Sequence, residues 1–218
     1  IMKSLQKNGF PPDIEIWITE MGTYSGEPAA QPFSGKSKYP FQSEEDQAAD
    51  LLKRYVFGLS LGIKKIFWAY GLLEGLRGDN GFFDHTGLIY DGRNKNDRGR
   101  LVKKSAYYTY KLMTEKLRNC DFDNIEILAE GLNNVNAYRF PLKNRSKSVY
   151  VIWWDYFDEP ESRKRKTREF GLATRGPRLM ITDSVTDNQG KRNSRHGTAI
   201  NGIVNLSLGK YPIIVEEL

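Results

Sequence analysis

Apolar residues change their spacing part-way along this 218-residue chain, and that change restricts the fold more than any other feature of the sequence. Up to about residue 119, unbroken apolar runs alternate with helical patterns; beyond it, β-rich runs succeed one another with no helical pattern between them. The first run, Ile14-Glu15-Ile16-Trp17-Ile18-Thr19-Glu20, reads as a strand with a carboxylate at its C-terminal tip, followed by Met21-Gly22 and a long aromatic loop to Ser43. Ser43 and Asp46 then form a capping box, with Glu44 and Glu45 in the first turn where acids suit the helix dipole. The apolar face that follows is Ala48, Leu51, Leu52, Tyr55, Val56 and Leu59, and Gly62 is the expected stop. A second buried strand is predicted over residues 65–71, a second long loop over 72–103, and a helix over 104–118 presenting Tyr107, Tyr110, Met113 and Leu117. Mostly apolar strands alternating with helices are the pattern of a parallel β/α fold, whose strands are buried on both faces.

In the second half, β-rich runs are predicted over residues 124–130, 135–142, 148–154, 178–184, 200–208 and 211–217. Short strands separated by polar turns imply an antiparallel β-sandwich, with a boundary near residues 119–123. The expected division is therefore residues 1–119 for the β/α part and 120–218 for the sandwich. Two strands cannot close a barrel, and an eight-stranded β/α barrel of about 250 residues would need six further units. Residues 1–9 read as the tail of a helix closed by Gly9, with Pro11 and Pro12 beyond, so those units are expected upstream of Ile1. The fold class is α/β plus all-β: the last two β/α units of a TIM-type barrel, then an antiparallel sandwich.

Composition removes several classes of function. The net charge of +6 is spread over both halves, so no nucleic-acid partner is expected. The lone Cys120 excludes an internal disulfide and, with no helix N-terminus or histidine to activate it, reads as a buried structural thiol. No apolar run approaches membrane-spanning length, so no membrane partner is expected. No signal peptide is visible; localisation is left open, with an extracellular or periplasmic setting favoured over the cytoplasm.

Glu20 is the leading candidate for chemistry, because parallel β/α folds place reactive groups at the C-terminal ends of their strands. Glycoside hydrolysis with retention needs two carboxyl groups about 5 to 5.5 Å apart, and Glu20 suits one of them; taken alone, it reads first as a strand-end glutamate in a salt bridge, and the residues around it shift that reading. Trp68, at the end of the next strand, would lie on the same rim and offer a flat face to a sugar ring, or else pack in the core. Tyr70 and Tyr24 are placed to hydrogen-bond a carboxylate or a sugar hydroxyl, or to bond backbone as core tyrosines do. His85 either touches a substrate hydroxyl or is a turn histidine bonded to Asp84, the second being preferred. With His196 distant, no metal site is expected, and the chemistry needs no cofactor. The basic run Arg163-Lys164-Arg165-Lys166-Thr167-Arg168, preceded by Asp158, Glu159 and Glu161, reads as a solvated hairpin loop.

These residues carry a resemblance. Ile16-Trp17-Ile18-Thr19-Glu20-Met21-Gly22 resembles the seventh-strand nucleophile motif of clan A glycoside hydrolases, and Ile66-Phe67-Trp68-Ala69-Tyr70 resembles their eighth strand, whose tryptophan floors the sugar site. Thr86-Gly87-Leu88-Ile89 followed by Lys103-Lys104-Ser105-Ala106-Tyr107-Tyr108 is similar to the clan's approach to its last barrel helix, with Ser105 in place of the usual proline. The β-rich tail, with Val149 to Trp154 and Tyr211 to Glu216, resembles the small sandwich appended to many of these barrels. The resemblance implies a retaining O-glycosidase acting by double displacement, with Glu20 as nucleophile and an oligosaccharide, polysaccharide or glycoside as substrate. The clan's acid/base glutamate, normally after an asparagine at the fourth strand's end, has no counterpart here. It would lie in an upstream barrel segment, in the same or another chain, and this chain alone would be inactive. The rival reading is a non-catalytic carbohydrate-binding or structural protein derived from the fold, with Trp154, Tyr156 and Phe157 as a stacking platform.

Overall fold

The computed structural model describes residues 2–11, 13–29, 39–69, 71–78, 80–93, 97–132, 134–144, 146–155, 167–187 and 189–218. A short helix α1 (Met2–Lys7) leads to strand β1 (Trp17–Met21), helix α2 (Glu44–Ser60), strand β2 (Lys65–Trp68), a single 3₁₀ turn over Phe82–His85, and helix α3 (Ser105–Leu117). β1 and β2 pair in parallel across the α2 connection. The ends of α2 follow from its sequence: Ser43 Oγ accepts the Asp46 N–H at 3.1 Å. At the other end Gly62, at φ +80°, donates to the Leu59 carbonyl while Ile63 donates to Gly58, a Schellman closure that only a left-handed residue permits cheaply.

Strands β3 (Glu126–Leu132), β4 (Val135–Pro141), β5 (Ser148–Trp154), β6 (Arg168–Ala173), β7 (Arg178–Asp183), β8 (Ser194–Thr198), β9 (Ile203–Leu208) and β10 (Ile213–Glu217) make up the rest. Six form one antiparallel sheet in the order β3-β4-β5-β10-β7-β8, and β6 pairs with β9 in a second sheet. The fold is thus mixed α/β with mostly antiparallel sheets.

Two apolar clusters meet on the large sheet. Tyr138, Phe140, Val149, Val151, Trp153 and Ile214 turn towards α2 and α3, packing on Leu51, Leu52, Val56, Leu112 and Leu117. Their alternates Val135, Ala137, Tyr150, Ile152, Trp154, Ile213 and Val215 turn the other way, onto Leu172, Val204, Leu206 and Leu208 of the small sheet. Period-2 alternation thus sends successive residues of β4 and β5 into different cores, and every residue of both strands is buried. Cys120 lies in the helix-side cluster, where burial pushes its thiol up to about 12. At one end of the sandwich the buried Glu217 carboxylate accepts from the Tyr150 hydroxyl and from the backbone N–H groups of Ser148, Arg175 and Gly176. Strands β6 and β8 have no counterpart among the runs expected from the sequence. No helix among the described residues is long and apolar enough to cross a membrane.

Candidate functional site

The pairing of β1 with β2 is irregular where it matters. Trp17 is opposite Lys65 and Ile18 opposite Ile66, but the next pair is Met21 with Trp68, so β1 spends an extra residue between Ile18 and Met21. Such a bulge re-aims side chains. Ile18 and Met21, with Ile66 and Trp68, pack towards the helices, whereas Trp17, Thr19 and Glu20 are exposed. Strict alternation would have sent Glu20 to the same side as Ile18; the bulge leaves Thr19 and Glu20 both on the open side of the sheet. Glu20 ends the strand, one residue before the Met21–Trp68 pair, and no hydrogen bond or ion pair joins it to another described residue.

Trp68 is half-buried. Its ring lies nearly parallel to that of Tyr55 at 6.3 Å, and its Nε1–H donates to the Thr86 carbonyl at 2.7 Å. Glu20 and Trp68 thus end adjacent strands at one level while their side chains leave on different sides. Tyr24 is buried; its hydroxyl donates to the Pro40 carbonyl at 2.8 Å, and its ring meets Tyr39 and Phe82 edge-on. Burial pushes that hydroxyl up, with Tyr39 adding to the effect, so it remains a donor that ties the first long loop. His85 is buried between the two long loops, Nδ1 at 3.1 Å from the Ser25 carbonyl and Nε2 at 2.8 Å from Asn80 Oδ1. Burial lowers its basicity. A neutral ring donates from Nδ1 to Ser25 and accepts at Nε2, which assigns the Asn80 amide nitrogen rather than its oxygen to that contact. Asp84 instead accepts from the backbone N–H groups of Arg77 and Asn80. Tyr70 lies outside the described residues.

Beneath the rim is a buried polar network that the sequence did not announce. Lys104, the N-cap residue of α3, is fully buried and donates to Glu74 Oε1 at 2.5 Å, with the His85 carbonyl at 3.4 Å. Burial pushes the Glu74 carboxyl up to about 7 against the pull of Lys104, and burial likewise lowers the Lys104 ammonium, so both shifts favour the neutral forms. Gln47, fully buried on α2, points its Nε2 at the carbonyls of Thr23, His85, Thr86 and Gly87, at 3.0 to 3.4 Å. At the N-terminus of α2, Glu44 accepts from the Tyr90 hydroxyl, Arg98 and the Ser105 N–H, which joins the starts of α2 and α3. Gln47 had a legible signal: it precedes Leu51 by one turn on the apolar stripe. The Glu74–Lys104 pair had none, since its members are 30 residues apart in irregular segments.

Of the proposed stacking platform, Trp154 is fully buried inside the sandwich; Tyr156 and Phe157 lie outside the described residues, as do positions 163–166 of the basic run. No three His, Cys, Asp or Glu side chains among the described residues gather as metal ligands would. A groove of about 500 Å³ between the start of α2 and the sandwich is lined by Glu45, Asp183, Thr186, Arg195 and Tyr211 among others, and Glu20 is not part of it. Glu20 sits on an open face, and only additional polypeptide over that face would make a cleft around it.

No family model matches the chain, and no curated protein matches it in sequence. Solved structures do match in fold. A family 39 glycoside hydrolase from Bacteroides cellulosilyticus WH2 is similar over 100% of this chain and 37% of its own, at 17% identity and a TM-score of 0.64. A GH30 endoxylanase from Clostridium papyrosolvens C71 matches 97% of this chain and 43% of its own, at 11% identity and a TM-score of 0.53. A 4-O-α-L-rhamnosyl-β-D-glucuronidase from Fusarium oxysporum 12S matches 80% of this chain and 39% of its own, at 14% identity and a TM-score of 0.52. The chain spans well under half the length of each, and at these identities the likeness is one of fold. Its fold is that of a part of glycoside hydrolases of families 39 and 30.

Proposed function

We propose that the chain is part of a retaining O-glycoside hydrolase in which Glu20 is the nucleophile. The observation that carries this reading is the bulge in β1, which turns the strand-end carboxylate out of the helix-facing side and onto the open face of a parallel strand pair. In double displacement Glu20 Oε attacks the anomeric carbon as the glycosidic C–O bond breaks, and the leaving oxygen takes a proton from a second carboxylic acid. Water then attacks the glycosyl ester, giving up a proton to that same second group, now a carboxylate, and Glu20 is released. The second carboxyl is assigned to barrel strands outside this sequence, so this chain alone is expected not to turn over glycosides. Trp68 at the neighbouring strand end contributes its exposed part to the rim of the sugar site, while Tyr24 and His85 hold the two long loops that border it. The substrate is a saccharide or glycoside, and no cofactor enters the scheme.

The test uses the protein extended to include the remaining strands, assayed on a panel of aryl glycosides. Glu20→Ala is expected to lower turnover by at least about 10³-fold, the scale of losing a covalent nucleophile. Added azide, filling the vacated space, should restore turnover and yield a glycosyl azide of inverted configuration. Turnover that survives Glu20→Ala, or azide that restores nothing, contradicts the assignment.

A further inference from the structure

The segment 85–87 is held more firmly than a loop needs for its own sake. Three successive carbonyls, those of His85, Thr86 and Gly87, converge on the Gln47 amide. The His85 carbonyl also faces Lys104 Nζ and the Ser25 N–H. The Thr86 carbonyl accepts the Trp68 indole N–H at 2.7 Å as well as Gln47 at 3.3 Å. The Thr86 side chain lies beside both strand ends: its Oγ1, which donates to the Phe83 carbonyl at 2.9 Å, lies 3.4 Å from the Ala69 carbonyl, and its methyl group is 3.5 Å from where a Cβ on Gly22 would stand. Gly22 and Ala69 immediately follow the Met21–Trp68 pair.

Gln47 Oε1 is buried without a partner. Turning the amide over would satisfy nothing, because it would aim that oxygen at the carbonyls, so the nitrogen-inward orientation is fixed by the surroundings. A buried amide that leaves its own acceptor unsatisfied costs stability. A leucine would fill the same volume without that cost, which argues that the donor itself is wanted there.

We propose that Gln47 and Thr86 are positioning residues for the candidate sugar site: Gln47 fixes the Thr86 carbonyl, and that carbonyl fixes the Trp68 indole at the end of the strand next to the one that carries Glu20. The consequence for sugar binding rests on the function proposed above, but the positioning of Trp68 is measured without any sugar. In ¹⁵N-labelled protein the indole N–H signals of the four tryptophans would be assigned by single Trp→Phe substitutions. The Trp68 N–H should exchange slowly, and Gln47→Leu should speed its exchange roughly tenfold, the scale of one weakened hydrogen bond. Signals of Trp153 and Trp154 should keep their wild-type rates.

Gln47→Glu gives a second route if the leucine variant does not fold. Protonated, its carboxyl can donate to the same carbonyls; ionised, it repels them. Trp68 protection should therefore match wild type in acid and fall as the carboxyl ionises, again with Trp153 and Trp154 as internal references. Wild-type protection of Trp68 in folded Gln47→Leu, or in Gln47→Glu across the pH range, overturns the proposal. A Glu20 that takes no covalent label would overturn the glycosidase reading and leave these exchange results as they are.

Discussion

Strands β1 and β4 are both rich in apolar and aromatic residues, yet β4 is buried along its whole length and β1 is covered on one side only. In the six-stranded sheet both faces have a partner, the helices on one side and the β6–β9 sheet on the other. In the β1–β2 pair the helix side is filled by Ile18, Met21, Ile66 and Trp68, while Trp17 and Phe67 stand 47% and 49% exposed on the other. Two strands alone are a marginal sheet, and large apolar side chains side by side on a free face mark a surface built to be covered. The difference separates what the chain completes by itself from what it leaves open, and Glu20 lies on the open part.

Substitutions can break or sharpen that contrast. The largest effect should come from Trp154→Ala in the closed region, costing about 3–5 kcal/mol in denaturant unfolding as a cavity opens between the two sheets. Lys104→Met should follow at about 3 kcal/mol near pH 8, because Glu74, ionised in the unfolded chain at that pH, must take up a proton to occupy its dry site without a cation, and adding Glu74→Leu should recover most of the loss. Gly87→Ala places a Cβ 2.5 Å from the Glu74 backbone nitrogen, so it should cost about 1–3 kcal/mol and loosen the second long loop.

A smaller effect concerns pH. The Glu74 carboxyl is raised from 4.5 to about 7 in the folded protein, so between those values the native state holds a proton that the unfolded chain has released. Glu74 therefore favours folding below pH 4.5 and progressively less as pH rises to 7, and Glu74→Gln should flatten that part of the stability–pH curve. The smallest effect is Phe67→Ser, expected within about 0.5 kcal/mol of wild type in this chain. In a protein carrying the remaining strands, the same change should cost about 1.5–3 kcal/mol, as a fully covered phenylalanine would. Equal costs in both settings would remove the argument that this face is built to be covered.

Much of the fold was legible where local rules act alone. Ser43 and Gly62 delimit α2 as their capping chemistry requires, and β4 and β5 fall within a residue of the apolar runs that announced them. The two missed strands have physical reasons. β8, Ser194-Arg195-His196-Gly197-Thr198, is a mostly exposed edge strand with no apolar alternation to read, and β6 has only Leu172 buried and is interrupted by Gly171. Of the candidate site, the positions of Glu20 and Trp68 at strand ends were visible in the sequence, but the bulge that separates their directions is a property of pairing, which a single strand's sequence does not contain. For Tyr24 and His85 the sequence offered two readings each, a substrate contact or a structural bond, and for His85 it pointed to Asp84 as the structural partner. Their polar atoms are engaged with Pro40, Ser25 and Asn80, partners fixed only by tertiary structure.

The central claim, that Glu20 attacks a sugar, is tested most directly by trapping the glycosyl ester. The extended protein would be treated with activated 2-deoxy-2-fluoro glycosides, digested, and mapped by mass spectrometry. The account predicts one stoichiometric adduct, on Glu20, and none in Glu20→Gln. An adduct on a different carboxylate, with Glu20 unmodified, would contradict it.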